Sequence, residues 1–250
     1  MVENAVLSAY CDELLACADF KDYCPNGLQV EGDRPVRRLL TGVTASQALV
    51  DAAVAGHADA LLVHHGYFWK GESPCLVGMK GRRIRTLVRS GVSLLAYHLP
   101  LDAHPELGNN RQLARVLGIA DPQPTARADS HLWEGRLPRP LSAEAFAQLI
   151  ERALGRAPLH VAGHDRPIRS LAWCTGAAQG FIEEAATLGV DAYLSGEISE
   201  QTTHQARELG LDYFAAGHHA TERFGVQALG RHLAGRFDLE HDFLDLDNPV

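Results

Sequence analysis

Three clusters that contain histidines, two of them with a carboxylate as well, each directly follow a short run of apolar residues typical of a buried strand. Imidazole nitrogens and carboxylate oxygens are ligands that zinc, iron, manganese, cobalt and nickel take in proteins. An α/β sheet gathers such side chains at the ends of its strands. The three clusters are His64-His65-Gly66, His98-Leu99-Pro100-Leu101-Asp102 and Gly217-His218-His219-Ala220-Thr221-Glu222. Together they predict a metal centre with enough ligands for two divalent ions.

The spacing within these clusters sets conditions on the local structure. His218 and Glu222 are four residues apart, so they share one face if a helix begins there. His64 and His65 are adjacent, and adjacent side chains of a strand point to opposite faces. The strand must therefore end or turn at this point for both imidazoles to bind at one site, and Gly66 is expected to supply the turn.

A carboxylate such as Asp102 or Glu222 could bridge two metals about 3.5–4 Å apart. Other residues with metal or acid–base chemistry are weaker candidates. His98 is expected beside the metals as a ligand, as the partner of a ligand, or as the proton carrier of a catalytic step. His204 lies on a predicted helix, where a structural role or a role as the partner of a ligand is favoured over ligation. The basic residues of 70–83 could meet phosphates, or could form an ordinary solvated face.

The elements that position the clusters form an internal repeat. An offset of 132 places residues 33–39 on 165–171, and an offset of 120 places His98 on His218 and Asp102 on Glu222. Each copy alternates apolar strands with amphipathic helices, which favours parallel strands covered on both faces. The sequence therefore predicts an α/β fold made of duplicated three-layer α-β-α units, with largely parallel or mixed sheets and the dinuclear site between the repeats.

The rest of the chain is divided around this repeat. Residues 1–120 are expected to form the first repeat with an N-terminal helix over about 6–18, and residues 165–250 the second repeat. Residues 121–164 are expected to be a linker and an inserted segment. Within these ranges the patterns predict a linker over 121–125, a strand near 132–137, a helix over about 142–154 and an edge strand over 244–247.

Composition limits the classes of function. The net charge of −8 gives no global positive field toward nucleic acid or anionic membranes. The cysteines are odd in number and form no C-x-x-C, which argues against a disulfide framework. No secretory leader and no apolar run of membrane-spanning length is apparent, so a cytoplasmic location is expected. Phosphate-binding glycine motifs of the common nucleotide folds are absent from the sequence.

The three clusters resemble a known family. The motifs are V-H-H-G-Y-F-W at 63–69, H-L-P-L-D-A-H-P-E-L-G-N-N at 98–110 and G-H-H-A-T-E at 217–222, with P-N-G-L-Q-V-E-G at 25–32 and S-G-E at 195–197 in support. They are similar to those of the GTP cyclohydrolase I type 2 homologue family, also called Ngg-interacting-factor-like. The likeness covers nearly the whole chain.

The resemblance implies an α/β duplication, two divalent metal ions per subunit and a ring-shaped homohexamer. It places the family's ligands on His64, His65, Asp102, His218 and Glu222. Three functions stay open at this point. The chain could be a metal-dependent hydrolase of a purine nucleotide or similar small substrate, a metal-binding or metal-delivery protein without turnover, or a ring around nucleic acid, which the acidic balance disfavours.

Overall fold

The computed structural model describes residues 1–125 and 131–250, and the chain divides into two compact units. The first unit is Met1–Gly108 with Gly225–Asp247, and the second is Asn109–Phe224 with Asn248–Val250. These units differ from the divisions at 120 and 165, which describe repeats along the sequence and stay predictions. No helix among the described residues combines the length and the apolar character that crossing a membrane requires.

The first unit is built on a five-stranded sheet in the order β1-β4-β3-β2-β11. Strands β4, β3, β2 and β11 run parallel, while β1 at the edge is antiparallel to β4. Its elements are α1 (Asn4–Leu14), β1 (Gly27–Val30), β2 (Arg38–Thr44), α2 (Gln47–Ala55), β3 (Ala60–His65), α3 (Gly78–Ser90), β4 (Ser93–Ala96), α4 (Leu99–Ala103), β11 (Glu240–Phe243) and the later part of α9 (His218–Phe237).

Helices cover both faces of this sheet because the central strand is apolar on both sides. Ala60 and Leu62 of β3 pack in a core shared with α1 and with the part of α9 that belongs to this unit. Leu61 and Val63, which point the other way, pack in a second core with α2 and α3. A parallel strand buried on both faces has a continuous apolar sequence, as β3 does.

The second unit has a six-stranded mixed sheet in the order β5-β6-β8-β9-β10-β7. Strands β8, β9 and β10 are parallel, and the outer strands pair antiparallel. Its elements are α5 (Asn109–Leu117), β5 (Ala120–Pro124), β6 (Trp133–Leu141), α6 (Ala143–Leu154), β7 (Leu159–Val161), β8 (Ile168–Cys174), α7 (Ile182–Thr187), β9 (Ala192–Ser195), α8 (Glu200–Leu209), β10 (Asp212–Ala215) and the first residues of α9. Separate cores on the two faces again give three layers.

The strand registers agree with the predicted repeat. Leu39 pairs with Ala60 in the first sheet, and Leu171 pairs with Ala192 in the second, so both strands keep the offset of 132. The loops agree as well: Asp59 Oδ2 accepts hydrogen bonds from the backbone N–H groups of residues 37 and 38, and Asp191 Oδ2 from those of 169 and 170. The predicted α/β fold with two three-layer units is confirmed.

Two local predictions are wrong. The stretch 121–125, expected to be a linker, is mostly β5, an edge strand whose prolines are tolerated because an edge has unpaired positions. The edge strand expected over 244–247 lies earlier, at Glu240–Phe243, where it pairs with β2. By contrast, the helix predicted from Ser142 is confirmed: the Ser142 Oγ accepts a hydrogen bond from the Ala145 N–H at 3.2 Å, and Gly155 ends the helix at φ 76°.

Candidate metal centre

His64 ends the buried part of β3 and is itself completely buried in the first unit. Its Nδ1 lies 2.8 Å from the carbonyl oxygen of Tyr97. Because a carbonyl only accepts hydrogen bonds, Nδ1 must carry the proton, and Nε2 is then the lone-pair nitrogen. That nitrogen is 3.4 Å from Asp102 Oδ1. The backbone thus fixes the His64 tautomer in the form that can bind a metal through Nε2.

His98 is held through its Nδ1 in the same way, but by a carboxylate. Asp22 Oδ1 lies 2.7 Å from His98 Nδ1, while Asp22 Oδ2 accepts from the Leu99 N–H at 3.0 Å and from the Asn26 amide at 2.9 Å. Asn26 Oδ1 in turn accepts from the His98 N–H at 2.7 Å. Burial opposes ionisation of Asp22, yet the hydrogen bonds from His98 and Asn26 outweigh it and lower the carboxyl pKa to about 2.

His65 completes a group of three imidazoles. Its Nδ1 is 3.2 Å from the Thr44 hydroxyl at the end of β2. Its ring centre lies 4.6 Å from that of His64 and 5.7 Å from that of His98. One ring nitrogen from each of the three histidines lies within 4.8 Å of the others. Trp69 packs edge-on against His98 at 5.0 Å and forms an aromatic wall beside the group.

Gly66 lets the chain pack closely after His65, for a reason other than the expected turn. Its φ is not in the left-handed range, so the position does not require glycine for its backbone angles. Instead, a Cβ there would overlap the side chains of Gln29 and Ala96. Gln29 Oε1 also accepts the Tyr67 N–H at 2.7 Å, so it is fixed in place. The absence of a side chain at Gly66 lets the chain after His65 lie directly against β1 and β4.

The donor set of the first unit fits a divalent metal. The three imidazoles and the Asp102 carboxylate are buried or half-buried, and they supply the nitrogen and oxygen ligands that suit Zn, Fe, Mn, Co or Ni. Each imidazole has an oxygen partner on Nδ1, an arrangement common among metal-binding histidines. The unit therefore contains a candidate half-site with the chemistry, burial and orientation that metal binding requires.

The second unit carries a smaller half-site at the start of α9. His218 Nε2 lies 3.1 Å from Glu222 Oε2, as the i,i+4 spacing predicted, and His218 Nδ1 lies 2.7 Å from Glu197 Oε1. Burial alone would lower the pKa of His218, but the two carboxylates outweigh it and raise the pKa to about 9. Gly176 is needed here, because its φ is 69° and a Cβ would overlap the Glu222 carboxylate.

The remaining candidates lie outside these groups. His204 pairs with Glu200 at 3.1 Å on the exposed face of α8. Cys174 is buried in β8. Lys80 is paired with Glu72 at 3.4 Å. The sequence motifs missed Asp22, and they included Asn26 and Glu197 only within the supporting motifs at 25–32 and 195–197, without a role for either.

Comparisons with known proteins cover the whole chain. The sequence model of the Duf34/NIF3 (NGG1p interacting factor 3) family matches residues 3–249. A protein of Allochromatium vinosum named GTP cyclohydrolase 1 type 2 homolog is 63% identical over 250 residues, which are 100% of this chain and 98% of that one. The solved structure of a protein called ybgI, described as of unknown function, is 50% identical with a TM-score of 0.95 and full coverage of both chains. The structure of TTHA1606 from Thermus thermophilus is 36% identical with a TM-score of 0.92, also over both full chains.

Proposed function

Because the chain belongs to the Duf34/NIF3 (NGG1p interacting factor 3) family, we propose that it binds two divalent metal ions and uses them to hydrolyse a small substrate such as a purine nucleotide. Membership confirms the resemblance predicted from the motifs. The observation that carries the proposal is the convergence of His64, His65 and His98, each with an oxygen partner on Nδ1. The name GTP cyclohydrolase 1 type 2 homolog belongs to the relatives and suggests the substrate class.

The proposed ligands are those that the resemblance implied: His64, His65 and Asp102 from the first unit, and His218 and Glu222 from the second. Support for the first three comes from their grouping around buried Nε2 and carboxylate atoms. Support for the last two comes from their 3.1 Å pairing at the start of α9. That all five residues bind the same two metal ions is proposed from the resemblance alone.

Asp22, His98 and Trp69 have separate proposed roles beside the metals. When bound, divalent metals polarise substrate oxygens and make water more acidic. Asp22 holds His98 through Nδ1, so His98 Nε2 can accept a proton from water or donate one to a leaving group. Trp69 packs edge-on against the His98 ring at 5.0 Å and offers an aromatic surface beside it. His98 is therefore the proposed proton carrier.

The test combines metal analysis with a hydrolysis screen. Protein purified without chelators or affinity metal is loaded with each candidate metal and assayed with GTP and a panel of nucleotides. We expect turnover in at least one metal form, and loss of turnover with loss of metal in the His65→Ala variant. The His98→Ala variant should keep its metal and lose turnover; loss of metal instead would make His98 a ligand. Turnover absent in every metal form would leave metal binding or delivery without catalysis as the function.

We also propose that the chain assembles into a closed homo-oligomer, a hexameric ring, on the family resemblance alone. Light scattering at micromolar concentration should give the mass of six chains. A mass equal to one chain would refute this proposal without affecting the proposed metal ligands.

A further inference from the structure

One face of α3 carries three arginines in a row. Arg82, Arg85 and Arg89 are spaced i, i+3 and i+7, so they lie along one side of the helix, and all three are exposed. The opposite side presents Ile84 and Leu87 to the core shared with α2 and β3. At 1.5 Å per residue the three cations span about 10 Å of helix. The helix is thus divided into an apolar inner face and a strongly basic outer face.

These arginines border a groove between α2 and α3. The groove has a volume of about 330 Å³, and its lining residues are Gln47, Asp51, Arg82, Arg85, Thr86 and Arg89. The Gln47 amide crosses between the helices and donates to the Thr86 hydroxyl at 3.2 Å and to Asp51 Oδ1 at 2.8 Å. The groove is therefore polar, with a cationic side formed by α3 and one carboxylate already engaged by an amide.

None of the three guanidinium groups forms an ion pair within 4.0 Å among residues 1–125 and 131–250. The other two cations of α3 are engaged, because Lys80 pairs with Glu72 at 3.4 Å and Arg83 donates to the Met79 sulfur at 3.3 Å. The chain has 31 acidic and 23 basic side chains, so carboxylates are plentiful. The three unpaired arginines thus form a positively charged patch on a chain whose net charge is negative.

The arrangement is unfavourable for the isolated helix. Like charges three and four residues apart repel each other and destabilise a helix. A bound anion would remove this repulsion, and arginine pairs with phosphate oxygens through two parallel hydrogen bonds. We propose that the α2–α3 groove binds the phosphate chain of a small polyphosphorylated molecule, with Arg82, Arg85 and Arg89 as its principal contacts.

A short phosphate chain fits these observations better than a nucleic acid does. The cationic stretch covers about 10 Å, enough for a few linked phosphates. A longer polyanion would extend past it across a molecule whose net charge is −8, and would meet repulsion there. A small ligand experiences mainly the local positive field of the three arginines.

The groove begins near the metal half-site but is a separate feature. Gln47 is the first residue of α2 and follows three residues after Thr44, whose hydroxyl contacts His65. Both features therefore lie toward the same edge of the first sheet. The proposal concerns binding alone, and it stands whether or not the metal half-site is catalytic.

Calorimetric titration of the full-length, metal-loaded protein with inorganic tripolyphosphate tests the proposal. We expect one tripolyphosphate per chain and about tenfold or greater weakening in Arg85→Glu and in Arg82→Glu, as expected when charge-assisted hydrogen bonds are lost. Arg85→Lys should fall between these variants and the wild type, because it keeps the charge and loses the two-pronged contact. Arg207→Glu on α8 changes the net charge equally at another exposed position and should leave binding within about twofold.

Three further measurements separate the alternatives. Metal content should be unchanged in Arg85→Glu, and its melting temperature should not fall, because the new carboxylate lies between two arginines. Equal binding by Arg85→Glu and the wild type would overturn the proposal. Loss of tripolyphosphate binding in His65→Ala would also overturn it, since the phosphates would then bind at the metals. Tighter binding of a single-stranded oligonucleotide than of tripolyphosphate would identify the surface as a nucleic-acid site instead.

Discussion

The two half-sites stand on the same arrangement of strands but carry different chemistry. In the first unit β3 ends with His64 and His65, whereas the positions offset by 132 hold Gly196 and Glu197, directly after β9. The first half-site is therefore rich in imidazole, and the second has a single imidazole between two carboxylates. The scaffold of the repeat is kept while the candidate ligands on it differ, so the duplication predicts the positions of candidate ligands better than it predicts their residue types.

The two units also differ in how they orient the equivalent histidines. His98 and His218 both have a carboxylate 2.7 Å from Nδ1. In the first unit this carboxylate is Asp22, whose side chain is 3% exposed and which comes from the segment after α1. In the second it is Glu197, 33% exposed, which comes from the loop after β9. The same orientation is thus reached from different parts of the chain and with different shielding from solvent.

The largest effect is expected at His64. Its Nε2 faces Asp102 in a completely buried setting, so the His64→Ala variant should lose metal affinity by more than the roughly 100-fold typical of a ligand's partner. Competition with a chromophoric chelator measures this loss. A folded variant, judged by circular dichroism, with wild-type affinity would remove His64 from the ligand set.

A smaller effect is expected for the carboxylates on Nδ1. Glu197→Gln should weaken metal binding by about 10–100-fold, because the amide no longer favours the oriented imidazole of the proposed ligand His218. Asp22→Asn should leave metal affinity unchanged and lower turnover instead, because it disturbs only the proposed proton carrier His98. The same chelator competition, together with the nucleotide assay, measures both variants. Weaker metal binding in Asp22→Asn would make His98 a ligand.

Asp191, whose loop matches that of Asp59, is expected to make the free energy of unfolding depend on pH. Burial alone would raise the pKa of Asp191, but backbone hydrogen bonds from Arg169 and Ser170 outweigh it and keep the pKa below its usual value. Because the pKa is depressed on folding, this stabilisation is present above the unfolded value of about 3.9 and is lost as the pH falls through the folded value.

Asp191→Asn should therefore lower the free energy of unfolding by about 1 kcal/mol at pH 7 and by less at pH 3. Urea unfolding at both values measures the change, and Asp59→Asn is the matched variant in the first unit. A deficit of the same size at both pH values would rule out carboxylate ionisation as its source.

The smallest effect is expected for His204→Ala. The His204–Glu200 pair is exposed, and such surface pairs contribute between zero and about 1 kcal/mol. Metal content and affinity should equal those of the wild type, which makes this variant the control for the histidine substitutions above. Loss of metal would mean that a histidine outside both half-sites takes part in binding.

The sequence predicts the repeated parts of this fold well. The structure agrees with three kinds of sequence signal: the apolar runs of β3 and β9, the cap at Ser142 and the offset of 132. The first two are read from a short stretch of sequence, and the third from the likeness of two stretches. The prolines of β5 suggested a linker, because composition alone does not show that this stretch lies at the edge of a sheet, where it pairs on one side only and prolines are tolerated.

The candidate ligands at the strand ends each lie beside a clear apolar run, so the sequence alone proposes them, and their role as ligands stays a prediction. Asp22 and Asn26 could not be found in this way. They lie in a segment without periodicity, and only the fold brings them to His98, which is more than 70 residues away along the chain. Pairings of this kind depend on tertiary structure, so spacing alone gives no signal for them.

Metal stoichiometry tests the central claim most directly. Mass spectrometry of metal in protein loaded with a single divalent ion should give about two ions per chain for the wild type, as expected for a dinuclear centre. Asp102→Ala from the first unit and His218→Ala from the second should each fall well below that content while remaining folded, and His204→Ala should not. Full metal content in either Asp102→Ala or His218→Ala would contradict the account.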